Sequence, residues 1–173
     1  MSPFLQLKRL SESDAAAYCA LRRRAAEELT YPPEPQVRDE TGLDSEGIIA
    51  RLNEYAANGT CVWGAFCNGI LVGTAALGHE QHRAYGGIGL LWGVYVLPRY
   101  RGTPASRLLM ETVIERCSRD KTVDQILAAC ASDNAAGQLF LLRFGFEPMR
   151  LLIRDGSIRG DGGDFLYLRR LLP

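Results

Sequence analysis

The residues with the most chemistry in their spacing lie between Leu91 and Leu109, LWGVYVLPRYRGTPASRLL. An apolar, β-rich run stops at Pro98, Arg101-Gly102 makes a turn, and an amphipathic helical pattern follows from Pro104. A strand that enters a helix through a short glycine turn aims backbone N–H groups and the positive helix end at one spot. That spot suits a phosphate or a pyrophosphate. The turn amides would come from Gly102, Thr103, Ala105, Ser106 and Arg107, with positive charge from Arg101 and Arg107. Pro104 fits the first helical position but has no N–H, so one donor is missing. A hydrogen bond to a charged group is worth roughly 1.5–3 kcal/mol. Ser106 keeps its amide and adds a hydroxyl. A Walker phosphate loop is excluded, because no Gly-Lys-Ser/Thr follows. The plain alternative is a βα unit without a ligand.

A second constellation is Asn134–Phe146, NAAGQLFLLRFGF. Asn134, preceded by Ser132-Asp133, is suited to cap a helix, and its two donors and one oxygen leave capacity for a ligand as well. Gly145 reads as the glycine that ends this helix and Phe146 as core. His79-x-x-His82 and five cysteines without a CxxC pair make no zinc pattern, so no metal is expected. The glycines at 86, 87 and 89 precede a strand rather than open a helix, which favours a turn or bulge over a nucleotide loop. Trp63 and Trp92 read as core.

The elements that must position these residues follow from periodicity and punctuation. Phe4–Leu10 reads as a strand. A helix over Ala15–Leu29 turns Tyr18, Leu21, Ala25 and Leu29 inward and leaves Arg22–Arg24 mostly solvated. The prolines in Tyr31–Pro35 predict a loop. Asp44-Ser45 caps a helix over Glu46–Ala57. Cys61–Phe66 and Ile70–Leu77 are strands around the hairpin turn Asn68-Gly69. His79–Gly87 is a polar connection, and Ile88–Leu97 a long apolar strand. Pro104–Arg119 is a helix, Val123–Cys130 a strand, Asn134–Phe144 a helix. Met149–Arg154 and Phe165–Leu171 close the chain as strands around Gly156–Gly163. The hairpins pair antiparallel, and the crossover from Ile88 to Cys130 gives a parallel pair. The expected class is α/β (α+β), with a mixed central sheet of about seven strands and four helices, in one domain over residues 1–173.

Both constellations resemble the GNAT family of N-acetyltransferases. Val96, Pro98, Arg101 and Gly102 match its V-x-P-x-x-R-G-x-G-x-G stretch, with Pro104 and Ser106 in place of the later glycines. Asn134, Gly145 and Phe146 match N-x-x-A-x-x-L-Y-x-x-x-G-F, with Gly137 for the alanine and Leu141 for the tyrosine. The resemblance implies the GNAT fold, with two parallel strands splayed apart to admit the pantetheine arm of acetyl-CoA. The arm would bond to the backbone of Val94, Tyr95 and Val96 and to Asn134, and the pyrophosphate would sit on the turn. The implied reaction is transfer of an acetyl group to a primary amine, on a small molecule or a peptide, by direct attack. The alternative is an acyl-CoA-binding module with little or no turnover.

The family's tyrosine protonates the departing thiolate, and Leu141 cannot. Tyr95, Tyr100 and Ser132 are substitutes that the sequence does not rank. An attacking amine must lose a proton, yet Ile88–Leu97 and Ile126–Cys130 carry no acid. The base is then sought in loops: His79, Glu80, His82, Glu27, Glu28, Glu34 and Asp133, with water as the default. The catalytic candidates reduce to Glu80, Tyr95 and Asp133. Tyr31, Glu34 and the turn with Asp155, Asp161 and Asp164 would wall the acceptor.

Composition limits the remaining classes. The chain has 173 residues, 47% hydrophobic and 23% charged, as in an ordinary globule. Lys plus Arg equals Asp plus Glu at 20 each, so net charge favours neither nucleic acid nor an anionic membrane. The longest apolar run is too short to span a bilayer. MSPFLQLKRL lacks the apolar stretch of a signal peptide. With an odd number of scattered cysteines, this points to reduced thiols and the cytoplasm. A homodimer is compatible with all of these features.

Overall fold

The computed structural model describes residues 4–28, 35–80, 87–149 and 165–173. The elements in chain order are β1 (Leu5–Arg9), α1 (Ala15–Glu28), α2 (Pro35–Thr41), α3 (Ser45–Ala57), β2 (Cys61–Cys67), β3 (Ile70–Glu80), β4 (Ile88–Val96), α4 (Pro104–Arg119), β5 (Gln125–Ala131), α5 (Ala135–Arg143), β6 (Glu147–Pro148) and β7 (Phe165–Leu171). The strands form one sheet in the order β1-β2-β3-β4-β5-β7-β6. Every neighbouring pair is antiparallel except β4 with β5.

The sheet is covered on both faces. On one, Val72, Ala75, Leu77, Leu91, Ile126 and Leu168 pack against Leu109, Met110, Val113 and Cys117 of α4 and Leu141 of α5. On the other, Val62, Phe66, Leu71, Ala76 and Trp92 pack against Tyr18, Leu21, Ile48 and Leu52 of α1 and α3. This double coverage follows from the period-2 alternation of strands whose two faces are both apolar. Trp92 is buried, and Trp63 packs partly buried at the edge of the first layer.

Most predicted boundaries fall within a few residues of the observed ones, and the caps are as expected. Asp44 accepts from the Gly47 amide and Asn134 from the Gly137 amide. Gly145 (φ +76°) ends α5, with its amide on Leu142 and that of Phe146 on Leu141.

Several expectations are corrected. α2 begins at Pro35, inside the stretch read as a loop, so the described residues hold five α-helices and not four. The reason is that proline cannot continue a helix but suits its first position. β3 runs on through Glu80, which the reading gave to a polar connection. The short β6 ends at Pro148, before the strand expected over Met149–Arg154; Met149 is in no strand, and residues 150–154 lie outside the described residues. So do Tyr31, Glu34, His82, Asp155, Asp161 and Asp164.

Candidate functional site

A bulge and a parted strand pair make the central cleft. β4 and β5 pair only from Ile88 with Gln125 to Leu91 with Ala128, and β4 continues unpaired on that side. On its other edge, Thr74 faces Tyr95 and Ala76 faces Trp92, so Gly93 and Val94 together oppose the single residue Ala75. Gly93 has φ +60°, the left-handed conformation that such a bulge requires and that glycine adopts without strain. A bulge bends its strand, and the pairing of β4 with β5 ends two residues before Gly93. The resulting cleft of about 530 Å³ has Gly93–Val96 on one side and Ala128–Ala131 on the other. Asn134, Gly137, Phe140 and Leu141 of the α5 region line it, as do Arg101, Gly102 and Ser106 of the turn. Arg22, Ala25 and Glu28 of α1 and Val37 of α2 complete the wall.

The turn holds open amides. Thr103, the N-cap of α4, makes no side-chain cap. The first bond into α4 runs from the Arg107 amide to the Thr103 carbonyl at 3.5 Å, so helix geometry gives the Ala105 and Ser106 amides no intrahelical acceptor. No atom lies within 4 Å of where a Cβ on Gly102 would stand, leaving its backbone approachable.

The side chains of the turn do something other than expected. Arg101 donates from Nε to the Val96 carbonyl at 2.9 Å and from Nη2 to Glu28 at 2.7 Å, with its guanidinium over the Tyr95 ring. It bolts the end of β4 to α1. The Ser106 hydroxyl, expected as a spare donor, is turned to the Thr103 carbonyl at 2.9 Å. The Thr103 hydroxyl donates to Tyr100 at 2.6 Å. Arg107 points outward, 3.7 Å from Glu111. Thr103, Ala105 and Arg107 are therefore not on the cleft wall, whereas Val94, Tyr95, Val96, Arg101, Gly102, Ser106 and Asn134 are.

The acid–base candidates separate by position. Glu80 faces Ile88 and His79 faces Gly89, whereas the cleft lies beside Gly93–Val96. Three residues of strand, roughly 10 Å, divide Ile88 from Leu91, where the cleft lining begins, and five, roughly 17 Å, divide it from Gly93. His79 instead lies 3.9 Å from Asp120. Glu27, Ser132 and Asp133 are exposed and off the cleft wall, and Tyr100 packs against the core. Of the catalytic trio, only Tyr95 lines the cleft. Its hydroxyl is buried with no hydrogen-bond partner of normal geometry among the described residues, and burial, with the Glu28 carboxylate nearby, pushes its pKa up to about 12. Burial works to raise the pKa of Glu28, but Tyr95 and Arg101 outweigh it and hold the carboxyl below its ordinary range. A carboxylate so held is a poor proton acceptor.

Sequence reasoning missed a buried ionic network beneath the bulge. Arg22, expected in solvent, is 2% exposed and Glu40 1%. Arg22 Nε lies 3.0 Å from Glu40 Oε2 and donates to the Tyr18 hydroxyl at 3.0 Å. Glu40 accepts from Tyr18 at 2.9 Å and from Tyr55 at 2.9 Å. The signal was present: position 22 lies one turn after Tyr18, on the face shared with Leu21 and Ala25. Among the described residues, no group of three or more His, Cys, Asp or Glu could hold a metal ion.

A mixed sheet whose parallel strands part beside a helix N-terminus defines a class of protein that takes an extended, phosphate-bearing ligand between strands. Residues 23–146 match the family model described as the Acetyltransferase (GNAT) family, and the chain belongs to that family. That family is one of acetyltransferases. The ribosomal-protein-alanine N-acetyltransferase of Brucella melitensis has a similar structure, with 26% identity, TM-score 0.77, and 96% of this chain and 99% of that one covered. A GNAT-family acetyltransferase from Streptococcus pneumoniae shares 21% identity at TM-score 0.75, covering 98% of this chain and 100% of that one. A structure from Salmonella typhimurium, described as an acetyltransferase with its cofactor acetyl-CoA, shares 20% identity at TM-score 0.74 over 98% of this chain and 94% of that one. No curated protein matches the sequence. No helix among the described residues is long and apolar enough to cross a membrane.

Proposed function

We propose that this chain moves an acetyl group from acetyl-CoA to a primary amine by direct attack of the amine on the thioester. The observation that carries this reading is the parted edge of β4 and β5 beyond Leu91 and Ala128, which leaves strand backbone facing a cleft. Unpaired strand edges bind extended chains through main-chain hydrogen bonds. The residues fit the donor: Val94, Tyr95 and Val96 would hold the pantetheine arm on one side and Asn134 on the other. The amides of Gly102 and Ser106, at the positive end of α4, would hold the pyrophosphate.

When bound, acetyl-CoA supplies an activated thioester with a thiolate as leaving group. The protein's task is then mainly orientation and exclusion of water. Water takes the proton of the amine, because Glu28 is committed to Arg101. Leu141 offers no proton to a departing thiolate. A thiol pKa of roughly 8.5, by analogy with cysteine, lets the thiolate leave unaided, though more slowly than with an acid's help.

The name of the Brucella relative supports an amine acceptor, on a small molecule or a peptide. We assign the single domain to the cytoplasm, in keeping with its free thiols at Cys19, Cys61, Cys67 and Cys117. Pro104 and Leu141 favour a second reading, an acyl-CoA-binding module without efficient turnover.

Calorimetry with acetyl-CoA, followed by a panel of amines monitored by thiol release, tests the proposal. Binding and turnover with at least one amine are expected. Firm binding with no turnover across the panel would install the second reading, and no binding would remove both.

A further inference from the structure

The network beneath the bulge carries more than stability requires. Removing two charges from water costs several kcal/mol per ion, and hydrophobic replacements are often as stable. Arg22 nevertheless sits at the cleft wall with its charge held by Glu40 and its Nε and Nη2 on the Tyr18 hydroxyl. The remaining terminal nitrogen, Nη1, donates to the carbonyl of Gly93 at 2.9 Å. The same carbonyl lies 3.4 Å from the Thr74 hydroxyl. A Cβ on residue 93 would stand 2.2 Å from Arg22 Nη2, so guanidinium and glycine are fitted to each other. Gly93 is also the residue at which β4 departs from the sheet register.

We infer that Arg22 is a positioning residue for acetyl transfer: it clamps the Gly93 carbonyl and so fixes the bulge that sets the cleft wall at the reacting end. This rests on the acetyltransferase reading above. If the arm lies along Val94–Val96 with the phosphates at the turn, Gly93 lies toward the acyl group. The clamp then acts where bond making occurs, remote from the groups that hold the phosphates. It also ties this point to the acceptor side of the cleft, since Arg22 is on α1 and Glu40 on α2. Arginine is needed because its planar fork reaches the carboxylate, the phenol and the carbonyl together, whereas a lysine is a single point of charge.

The test is steady-state kinetics of Arg22→Lys and Gly93→Ala, singly and together, on the full chain with the amine found in the acceptor panel. Acetyl-CoA affinity is measured by calorimetry, and folding by near-UV circular dichroism. Arg22→Lys keeps a charge beside Glu40 but loses the fork. Small misplacement of reacting groups costs about 10- to 100-fold in rate. Each folded single variant is expected to lose about that much kcat, with KM and Kd for acetyl-CoA within about threefold of wild type. The double variant should lose no more kcat than the worse single one, because both changes break one clamp. A merely structural role would lower thermal stability without this split between kcat and KM. Wild-type kcat in either folded single variant, or losses that multiply in the double variant, would overturn the inference. Should Arg22→Lys not fold, Gly93→Ala decides the matter alone by the same kcat criterion. A wild-type protein that binds acetyl-CoA but turns over no amine would instead defeat the acetyltransferase reading, which is a separate result.

Discussion

Leu141 is both a wall residue of the cleft and part of the core, 6% exposed. A tyrosine there would add a hydroxyl on the cleft side and strain on the core side. Leu141→Tyr is expected to raise kcat more than it lowers KM, because protonation matters only as the thiolate departs. Overpacking should cost about 1–3 kcal/mol in the same variant. Steady-state kinetics on the active amine checks this, and an unchanged kcat in the folded variant would mean that proton donation does not limit the rate. Arg101 is a bolt as well as a charge. Arg101→Glu would release the Val96 carbonyl, set a carboxylate against Glu28 and put negative charge beside the turn. Acetyl-CoA affinity should fall by more than about tenfold, or about 1.4 kcal/mol, in calorimetry. Unchanged affinity would remove the turn as the phosphate site.

At the scale of elements, both helix starts can be tested. In α5, a Cβ on Gly137 would lie 2.6 Å from Asn134 Nδ2 and 3.0 Å from Cys130 Sγ. Alanine is the better helix former by roughly 1 kcal/mol. Even so, Gly137→Ala is expected to weaken acetyl-CoA binding several-fold, because it displaces the Asn134 amide from the cleft wall. Tighter binding would mean that Asn134 is only a cap. The start of α1 is held by Asp14, whose carboxylate accepts from the Ser11 amide at 3.0 Å and lies 2.7 Å from Lys8 Nζ. Burial acts to raise its pKa, but the Lys8 and Ser11 bonds prevail and lower it from the ordinary value of 3.8. A carboxyl with a depressed folded pKa stabilises above its unfolded value, and the gain disappears as pH falls through the folded one. Asp14→Asn should therefore cost about 1–2 kcal/mol at pH 7. Denaturant titrations at several pH values should show the difference from wild type closing below about pH 4. A difference independent of pH would refute the assignment.

For the molecule as a whole, the cleft is an opening in the sheet itself, so ligand binding should brace both layers of the core. A donor bound across β4, α4 and α5 stabilises the fold by mass action, about 2.7 kcal/mol at a hundredfold excess over Kd. Thermal unfolding with saturating acetyl-CoA is expected to shift upward by several degrees, and more than with an equal concentration of free adenosine. Equal shifts would show that the pantetheine groove contributes nothing. The ionic network reaches across the same architecture. It joins α1, α2 and α3 through Tyr18, Glu40 and Tyr55 and meets the sheet at Gly93.

What the sequence by itself determined is what rests on neighbouring residues. The stop at Pro98, the turn at Gly102, the cap at Asn134, the C-terminal glycine at 145 and the Asn68-Gly69 hairpin are decided by local dihedral preferences and short-range hydrogen bonds. The apolar periods gave the strands and helices for the same reason. The site's polar chemistry was decided only in three dimensions. Arg22 meets Gly93 across 71 residues of chain, and Arg101 meets Glu28 across 73. No local pattern says that such a charge will be buried, paired or aimed at a carbonyl. Arg101 looked free for a phosphate because its partner, Glu28, lies on α1. His79 and Glu80 looked near the chemistry because they precede the central strand in sequence. The antiparallel register pairs them with Gly89 and Ile88, at the end of that strand away from the bulge.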